Sequence, residues 1–292
     1  MPSARWRSPD SQLEARAGRD CVGAVSPTEP GGAFRGTATS YLRHRPPYPA
    51  ALIEDLVRRA GANGRGRLLD LGCGPGRLTF ALAPYFREVL AVDAEPEMIA
   101  FARTEAARRG VGNVRWSVRR AEDVAAEPGS VDLVTAGESF HRFDQAAVMR
   151  NVIAWLRPGG AVATIGCSYG LLSPMDAWQR SVDAVVRRFA DRAPAPAGMG
   201  AGHDEMVFHE LGLEEVASHP FRVPVDWTPD SVVGFLFTTS ICSRARLGEA
   251  ADAFGREVRA ALRSAGAAGV FHEELRFGYT FGRKPGPAPV GG

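Results

Sequence analysis

The chain has 292 residues, 45% hydrophobic and 23% charged, with Gly and Pro spread without a period; this is enough for a substantial core and excludes a collagen-like chain. Its 35 basic and 33 acidic residues leave a net charge of +2, and their interleaving shows no basic stripe of the kind that tracks nucleic acid. No apolar run approaches the roughly 18 residues of a membrane-spanning helix.

The opening MPSARWRSPDSQLEAR has no apolar signal segment. Four isolated cysteines, Cys21, Cys73, Cys167 and Cys242, make neither a CxxC pair nor a disulfide framework. A reduced cytoplasmic setting is therefore the expectation. All basic residues but Lys284 are arginine, which fits GC-biased, bacterial coding better than selection for phosphate contacts.

In chain order, residues 1–33 are poor in large apolar groups and predict a disordered tail. PAALIEDLVRRAG predicts a helix that stops at Gly61. The run RLLDLG, the helical LTFALAPYF and the run VLAVD follow. EPEMIAFARTEAARRG is a helix with acids in its first turn and arginines in its last, matching the macrodipole. NVRWSV, VDLVTA, the helix DQAAVMRNVIAWL, the turn RPGG and the run AVATIG complete the alternation. Strand and helix alternating at this spacing predict an α/β, doubly wound sheet, and continuous apolar strands mean that both its faces are covered.

Beyond Gly166 the pattern loosens. SPMDAWQRSVDAVVRRFA reads as a helix, APAPAGMGAG as a Pro/Gly loop, and Asp204–Leu211 as another helix. VASHPFRVPVDW alternates like a strand. Thr228 then caps a helix with Pro229 at its first position. Helices over 229–242 and 247–265 lead to a last strand in VFHEELRFGYTF, the two late strands making an antiparallel edge. Residues 284–292 read as a second tail.

The most informative segment is LLDLGCGPGRLTFALA, residues 68–83. An apolar strand ends in glycines that let the backbone turn sharply and approach a ligand with no Cβ in the way. Seventeen residues beyond Gly76 the second strand ends in Asp93, placed to accept hydrogen bonds from both hydroxyls of a ribose. Turn and acid together point to an adenosine-containing ligand. The dinucleotide pattern G-x-G-x-x-G would need glycine where this chain has Arg77, which disfavours an NAD-dependent oxidoreductase.

The glycines fall instead as G-x-G-x-G, with Asp70 two residues before the first. With FRGTATSYLRHRPPYP, AVDAEPEMIAFAR, RRAEDVAAEPGSVDLV, AGESFHRFD and LRPGGAVATIG in order, the chain resembles the class I S-adenosylmethionine (SAM) methyltransferases. Within them it is similar to the small-molecule, trans-aconitate methyltransferase-like (type 11) group. The resemblance is close over 34–166 and general over 167–283. It implies a Rossmann-like, mostly parallel seven-stranded sheet with an antiparallel final strand. It also implies one methyltransferase domain over 34–283, with a SAM-binding core at 34–166 and acceptor-side helices and the last two strands at 167–283.

Carried over by position, the resemblance implies that Asp70 and the backbone near Gly72 hold the methionine end of SAM, with Gly74, Gly76, Ala94 and Gly137 also binding the cofactor. Asp93 then takes the ribose, Met98 packs on adenine, and the backbone at Ala121 and Glu122 lines the adenine pocket. Met98 also reads as plain core, and Cys73 as a small residue in the turn rather than a catalytic thiol. Arg120 stands where an acid often meets the adenine amine, leaving Glu122 or Asp123 open for that role.

Methyl transfer needs an acceptor lone pair aligned behind the S–CH3 bond, and a hydroxyl or phenol also needs a base. His141, after the fourth strand, is the candidate catalytic base or substrate contact. Arg142 replaces an aromatic residue of the related group and favours an anionic acceptor. Glu138 faces the sulfonium or caps a loop. Tyr41 and His44 belong to a segment that often forms a lid in such enzymes, the other reading being packing on the sheet. Phe140 is a candidate substrate contact, and Tyr169, Trp178, Phe235 and Phe237 are candidates for an apolar acceptor pocket or for the core, which aromatics at such spacings more often fill. His203, His209 and His219 lack metal-ligand spacing, so no metal is expected.

The expectation is a SAM-dependent methyltransferase acting in line on an O (or N) atom of a small organic molecule. The alternative is a SAM-binding protein of the same fold that does not methylate. No nucleic-acid or membrane partner is expected, and a homodimer is compatible.

Overall fold

The structure, a computed structural model, describes residues 37–190, 201–266 and 269–286. The expected tail at 1–33, the loop APAPAGMGAG up to Gly200, and 287–292 lie outside them.

Five short apolar runs become five parallel strands: β1 (Arg67–Leu71), β2 (Glu88–Asp93), β3 (Val114–Val118), β4 (Val131–Gly137) and β5 (Leu156–Ser168). The two late strands, β6 (Glu214–Trp227) and β7 (Phe271–Arg283), join the same sheet in the order β3-β2-β1-β4-β5-β7-β6, with β7 antiparallel to both neighbours. The expected fold class is the one observed.

Alternate residues of each strand go to opposite layers, as the pleat requires. Leu68, Leu133, Ala161, Ala163 and Ile165 pack under α2 (Ala50–Ala60), α3 (Arg77–Leu82), α6 (Ala177–Phe189), α8 (Pro229–Leu236) and α10 (Ala251–Ala265). Leu69, Leu71, Val134 and Val162 pack under α5 (Gln145–Trp155) and α7 (Ala201–Glu210). A short α1 (Ala38–His44) precedes these elements, α4 (Pro96–Arg109) links β2 to β3, and α9 (Arg244–Leu247) precedes α10.

The structure departs from the sequence reading in three places. RPGG, expected as a turn, lies inside β5, where Gly159 has φ +74° and the pairing with β4 shifts between Val131 and Leu133. A Cβ on Gly160 would stand 2.9 Å from the Arg157 carbonyl oxygen, so the strand bulges where only glycine fits. The helix expected over 229–242 stops at Leu236. There the hydroxyls of Thr238 and Thr239 donate back to the Phe235 and Leu236 carbonyls at 2.6 and 2.8 Å, offering the backbone an alternative to another turn. Its start is as expected, with Thr228 and Ser231 bonding each other's backbone N–H.

The third departure is Lys284, the chain's single lysine, placed in a tail by the sequence reading. Its backbone N–H donates to Gly160 at 2.8 Å, and its ammonium donates to the Ile153 and Leu156 carbonyls, both at 2.7 Å. These carbonyls close the C-terminus of α5, where a cation is favoured. Replacing Lys284 by Met should lower the unfolding free energy by about 1–2 kcal/mol, read as a lower urea midpoint at unchanged slope.

Candidate functional site

The site is built at the carboxyl ends of β1, β2 and β4, where open α/β sheets bind their ligands. After Leu71 the backbone passes through Gly72, Gly74 and Gly76 at φ +64°, +54° and +88°, the left-handed region that favours glycine. A Cβ on Gly72 would meet Ser139 at 2.5 Å and one on Gly76 would meet Trp116 at 2.7 Å, whereas one on Gly74 would meet nothing within 4 Å. Gly74 alone faces open space. The Asp93 carboxylate holds the turn, accepting the Gly74 N–H at 2.7 Å and the Glu95 N–H at 2.9 Å. Burial raises its pKa, and the two N–H bonds act against that rise. Cys73 is buried in the same turn, and burial, then the charges of Asp93 and Asp70, push its thiol well up, so it is no ready thiolate.

Asp70 is fully buried. Its two oxygens accept hydrogen bonds from Thr79 at 2.5 Å and Thr135 at 2.8 Å, tying β1 to α3 and β4. It lines the floor of the cleft above the turn with both oxygens already engaged.

Above that floor lies a charged clasp. Glu138 follows β4 at φ +55°, a costly conformation for a residue with a side chain. Its Oε1 accepts from Arg45 at 2.8 Å, and Arg45 also donates to the Thr238 hydroxyl at 3.1 Å while its guanidinium covers the Tyr41 ring at 4.4 Å. Arg77 donates to the Pro46 carbonyl and lies 5.1 Å from the centre of the Tyr48 ring. Tyr41, Tyr48, Asp70, Gly72, Gly74 and Arg77 line an open cavity of about 270 Å³.

The structure thus gathers Asp70, Gly72, Gly74, Gly137 and Tyr41 around one cavity, with Asp93 holding the turn and Ala94 exposed beside it. Met98 and Ala121 are buried at the starts of α4 and of the turn after β3. Glu122 accepts the Asp144 N–H at 2.9 Å, at the start of α5. His141 and Arg142 are exposed on a single helical turn after β4. Partial burial of the imidazole, then the Arg142 charge, lower the His141 pKa, so the neutral ring dominates near pH 7.

The aromatic residues need correction. Phe140 is 6% exposed and packs edge-on against Phe143 beneath α5. Trp178 lies against Phe271, Phe235 against Trp227, and Phe237 against Phe254, all in the core between sheet and helices. The helices covering this sheet face need such bulk to fill the layer. Tyr169 is also buried, against Phe235, with the Arg45 guanidinium 5.7 Å from the centre of its ring. His44 leaves the cavity to Tyr41 and rests on Gly234 of α8, where an added Cβ would be 2.3 Å from the imidazole. Among the described residues no group of three His, Cys, Asp or Glu side chains is placed to hold a metal ion.

Arg45, Tyr48, Arg77, Thr79 and Thr135 are site residues the sequence reading missed as such. The two threonines carried a usable signal, since a hydroxyl within an apolar run buried on both faces requires a partner. The arginines carried none.

Two outcomes are expected. Burial raises the Asp70 carboxyl to about 6, above its unfolded value near 4. The stability this group contributes is therefore present below pH ~4 and lost as pH rises through ~6. Against the non-ionising Asp70→Asn, wild-type stability should fall between pH 4 and 7 by up to roughly 3 kcal/mol, measured by urea unfolding; no slope would refute it. Gly234→Ala, which helix propensity alone would favour by about 1 kcal/mol, should unseat α1 and speed amide exchange over 38–44, with His44→Ala restoring protection in the double variant.

Residues 68–160 match a family described as a methyltransferase domain. An uncharacterized methyltransferase of Mycobacterium tuberculosis is 30% identical over 213 residues, covering 72% of this chain and 77% of that protein. A probable S-adenosylmethionine-dependent methyltransferase of Saccharomyces cerevisiae is 32% identical over 125 residues, and the match spans 42% of this chain and only 43% of the yeast protein. Among solved structures, a candidate type II methyltransferase from Anaeromyxobacter dehalogenans superposes with a TM-score of 0.57 at 26% identity, covering 82% of this chain and 97% of that one.

Proposed function

The chain belongs to the class I SAM-dependent methyltransferases, and from that premise we propose that it methylates an oxygen (or nitrogen) atom of a small organic molecule. The observation that carries this reading is the turn of Gly72–Gly76, open at Gly74 and held by the Asp93 carboxylate. SAM supplies, when bound, a methyl group already activated on a sulfonium.

The residues present fit that group. Gly74 leaves the approach to the turn free of any Cβ, and Asp93 stands at the end of β2, where its carboxylate takes the ribose hydroxyls. Gly72 and Gly137 border the cavity that receives the methionine end, and Ala94, Met98, Ala121 and Glu122 surround the adenine side. The work left to the protein is to align the acceptor and keep water out, and alignment supplies most of the rate.

His141 is the general base of this reading, because its lowered pKa keeps the ring neutral and able to take a proton from an acceptor hydroxyl. Arg142 beside it, with Arg45 inside the clasp, favours an acceptor that carries negative charge. The balanced surface charge supports a small-molecule acceptor over nucleic acid. No helix among the described residues is long and apolar enough to cross a membrane.

Titration calorimetry with SAM, S-adenosylhomocysteine and NAD tests the cofactor, and release of S-adenosylhomocysteine across a panel of small acids, phenols and amines tests the reaction. Asp93→Ala should weaken SAM binding by about 30-fold or more. His141→Asn should leave the SAM Kd within about twofold and slow transfer to a hydroxyl acceptor by about 100-fold. Wild-type activity should fall as the imidazole protonates at acid pH. Binding of NAD without SAM, or SAM binding with no transfer to any acceptor class, would count against the reading.

A further inference from the structure

Among the described residues, the clasp holds a buried donor and a buried acceptor that face each other as an ion pair without a hydrogen bond. Arg77 Nη1 and Glu138 Oε2 are 3.8 Å apart, beyond hydrogen-bond reach, and neither has another hydrogen-bond partner. Their side chains are only 8% and 9% exposed. Both groups are nonetheless aimed. Arg77 is anchored through its other nitrogen to the Pro46 carbonyl, and Glu138 through its other oxygen to Arg45. The backbone of Glu138 holds φ +55° in the process.

A buried polar atom without a hydrogen bond recovers only part of its desolvation cost from a 3.8 Å ion pair, so two such atoms beside one cavity mark a place built for a ligand. Arg77 is itself part of that wall, and Gly137, the residue before Glu138, is another part. The cavity is small and suits one end of a longer molecule. Asp70 on the floor already accepts from two threonine hydroxyls, whereas Glu138 Oε2 accepts no hydrogen bond.

A guanidinium nitrogen and a carboxylate oxygen side by side complement one head group above others: a carboxylate next to an ammonium, the zwitterion of an α-amino acid. We propose that Arg77 and Glu138 receive the amino-acid end of the cofactor, Arg77 binding its carboxylate and Glu138 its ammonium. The assignment rests on the SAM reading above and moves recognition of this end from Asp70 to a pair of side chains contributed by α3 and by the exit of β4. Arg45 is then a positioning residue, holding the Glu138 carboxylate from the α1 side.

Calorimetric titration with two ligands tests this. S-adenosylhomocysteine carries the amino-acid head, and 5′-methylthioadenosine keeps the adenosine and thioether but lacks it. Arg77→Met preserves the apolar stem against Tyr48, and Glu138→Gln removes the charge while keeping the shape. Each variant should weaken S-adenosylhomocysteine by roughly 10- to 100-fold and leave methylthioadenosine within about twofold. Retained methylthioadenosine binding also reports that the variant is folded. Equal weakening of both ligands, or no loss for S-adenosylhomocysteine, overturns the assignment. Wild-type protein that binds methylthioadenosine as tightly as S-adenosylhomocysteine overturns it while leaving the cofactor reading standing. Wild-type protein that binds neither overturns the cofactor reading, and this assignment with it.

Discussion

A carboxylate placed in the middle of an apolar sheet is tolerated only if its oxygens find donors there. Asp70 is that carboxylate, and the donors are the hydroxyls of Thr79 on α3 and Thr135 on β4. Satisfying it requires the start of α3 to fold back over β1 and β4 to lie beside it in one register. The path of the glycine turn between β1 and α3 is then closely constrained. The exit of β4 is held next to it, because the Ser139 hydroxyl donates to the Leu71 carbonyl at 2.8 Å and its Cβ fills the space left by Gly72. Glu138, one residue earlier, is turned toward Arg45 and Arg77 as a consequence.

The same reasoning explains why parts distant in sequence act as one piece. Arg45 reaches Glu138 across 93 positions and Thr238 across 193, joining the N-terminal segment to the exit of β4 and to the segment after α8 together. His44, one residue before it, seats on Gly234 of α8. α1, α8 and the exit of β4 therefore share an attachment, and displacement of α1 disturbs all three. Cation–π contacts with Tyr41 and Tyr48 keep the two guanidinium groups oriented in a setting with little water.

Much of the sheet was legible because its determinants are local. Apolar runs of the length of LLDL and VLAVD, separated by helices with macrodipole-matched ends, carry their own period, and Thr228 with Pro229 states a helix start in two residues. The glycine turn and Asp93 were legible for the same reason, since backbone conformation and strand end are written in adjacent residues. The clasp was not, because Arg45, Arg77 and Glu138 meet only in three dimensions, and an arginine in an arginine-rich chain has no local mark of burial. For Trp178, Phe235 and Phe237 the sequence leaves pocket and core both open, since an aromatic residue fills a layer or a binding wall with the same composition, and the structure packs all three in the core. RPGG looks like a turn and is a bulge, a distinction set by the neighbouring strand β4 rather than by its own residues.

The sheet ends in β6, a long strand with one neighbour. Its ladder with β7 runs unbroken through Pro220, opposite Gly278, and Pro224, opposite Glu274. A proline has no N–H to give, so an unbroken ladder requires both ring nitrogens to point away from β7. Two of the outward positions on the rim are thus stripped of donors, four residues apart, and a foreign strand laid against it would find gaps in its bonding pattern. The open rim is blunted by its own sequence against growth of the sheet from molecule to molecule, so the protein can be crowded without its most exposed backbone seeding fibres.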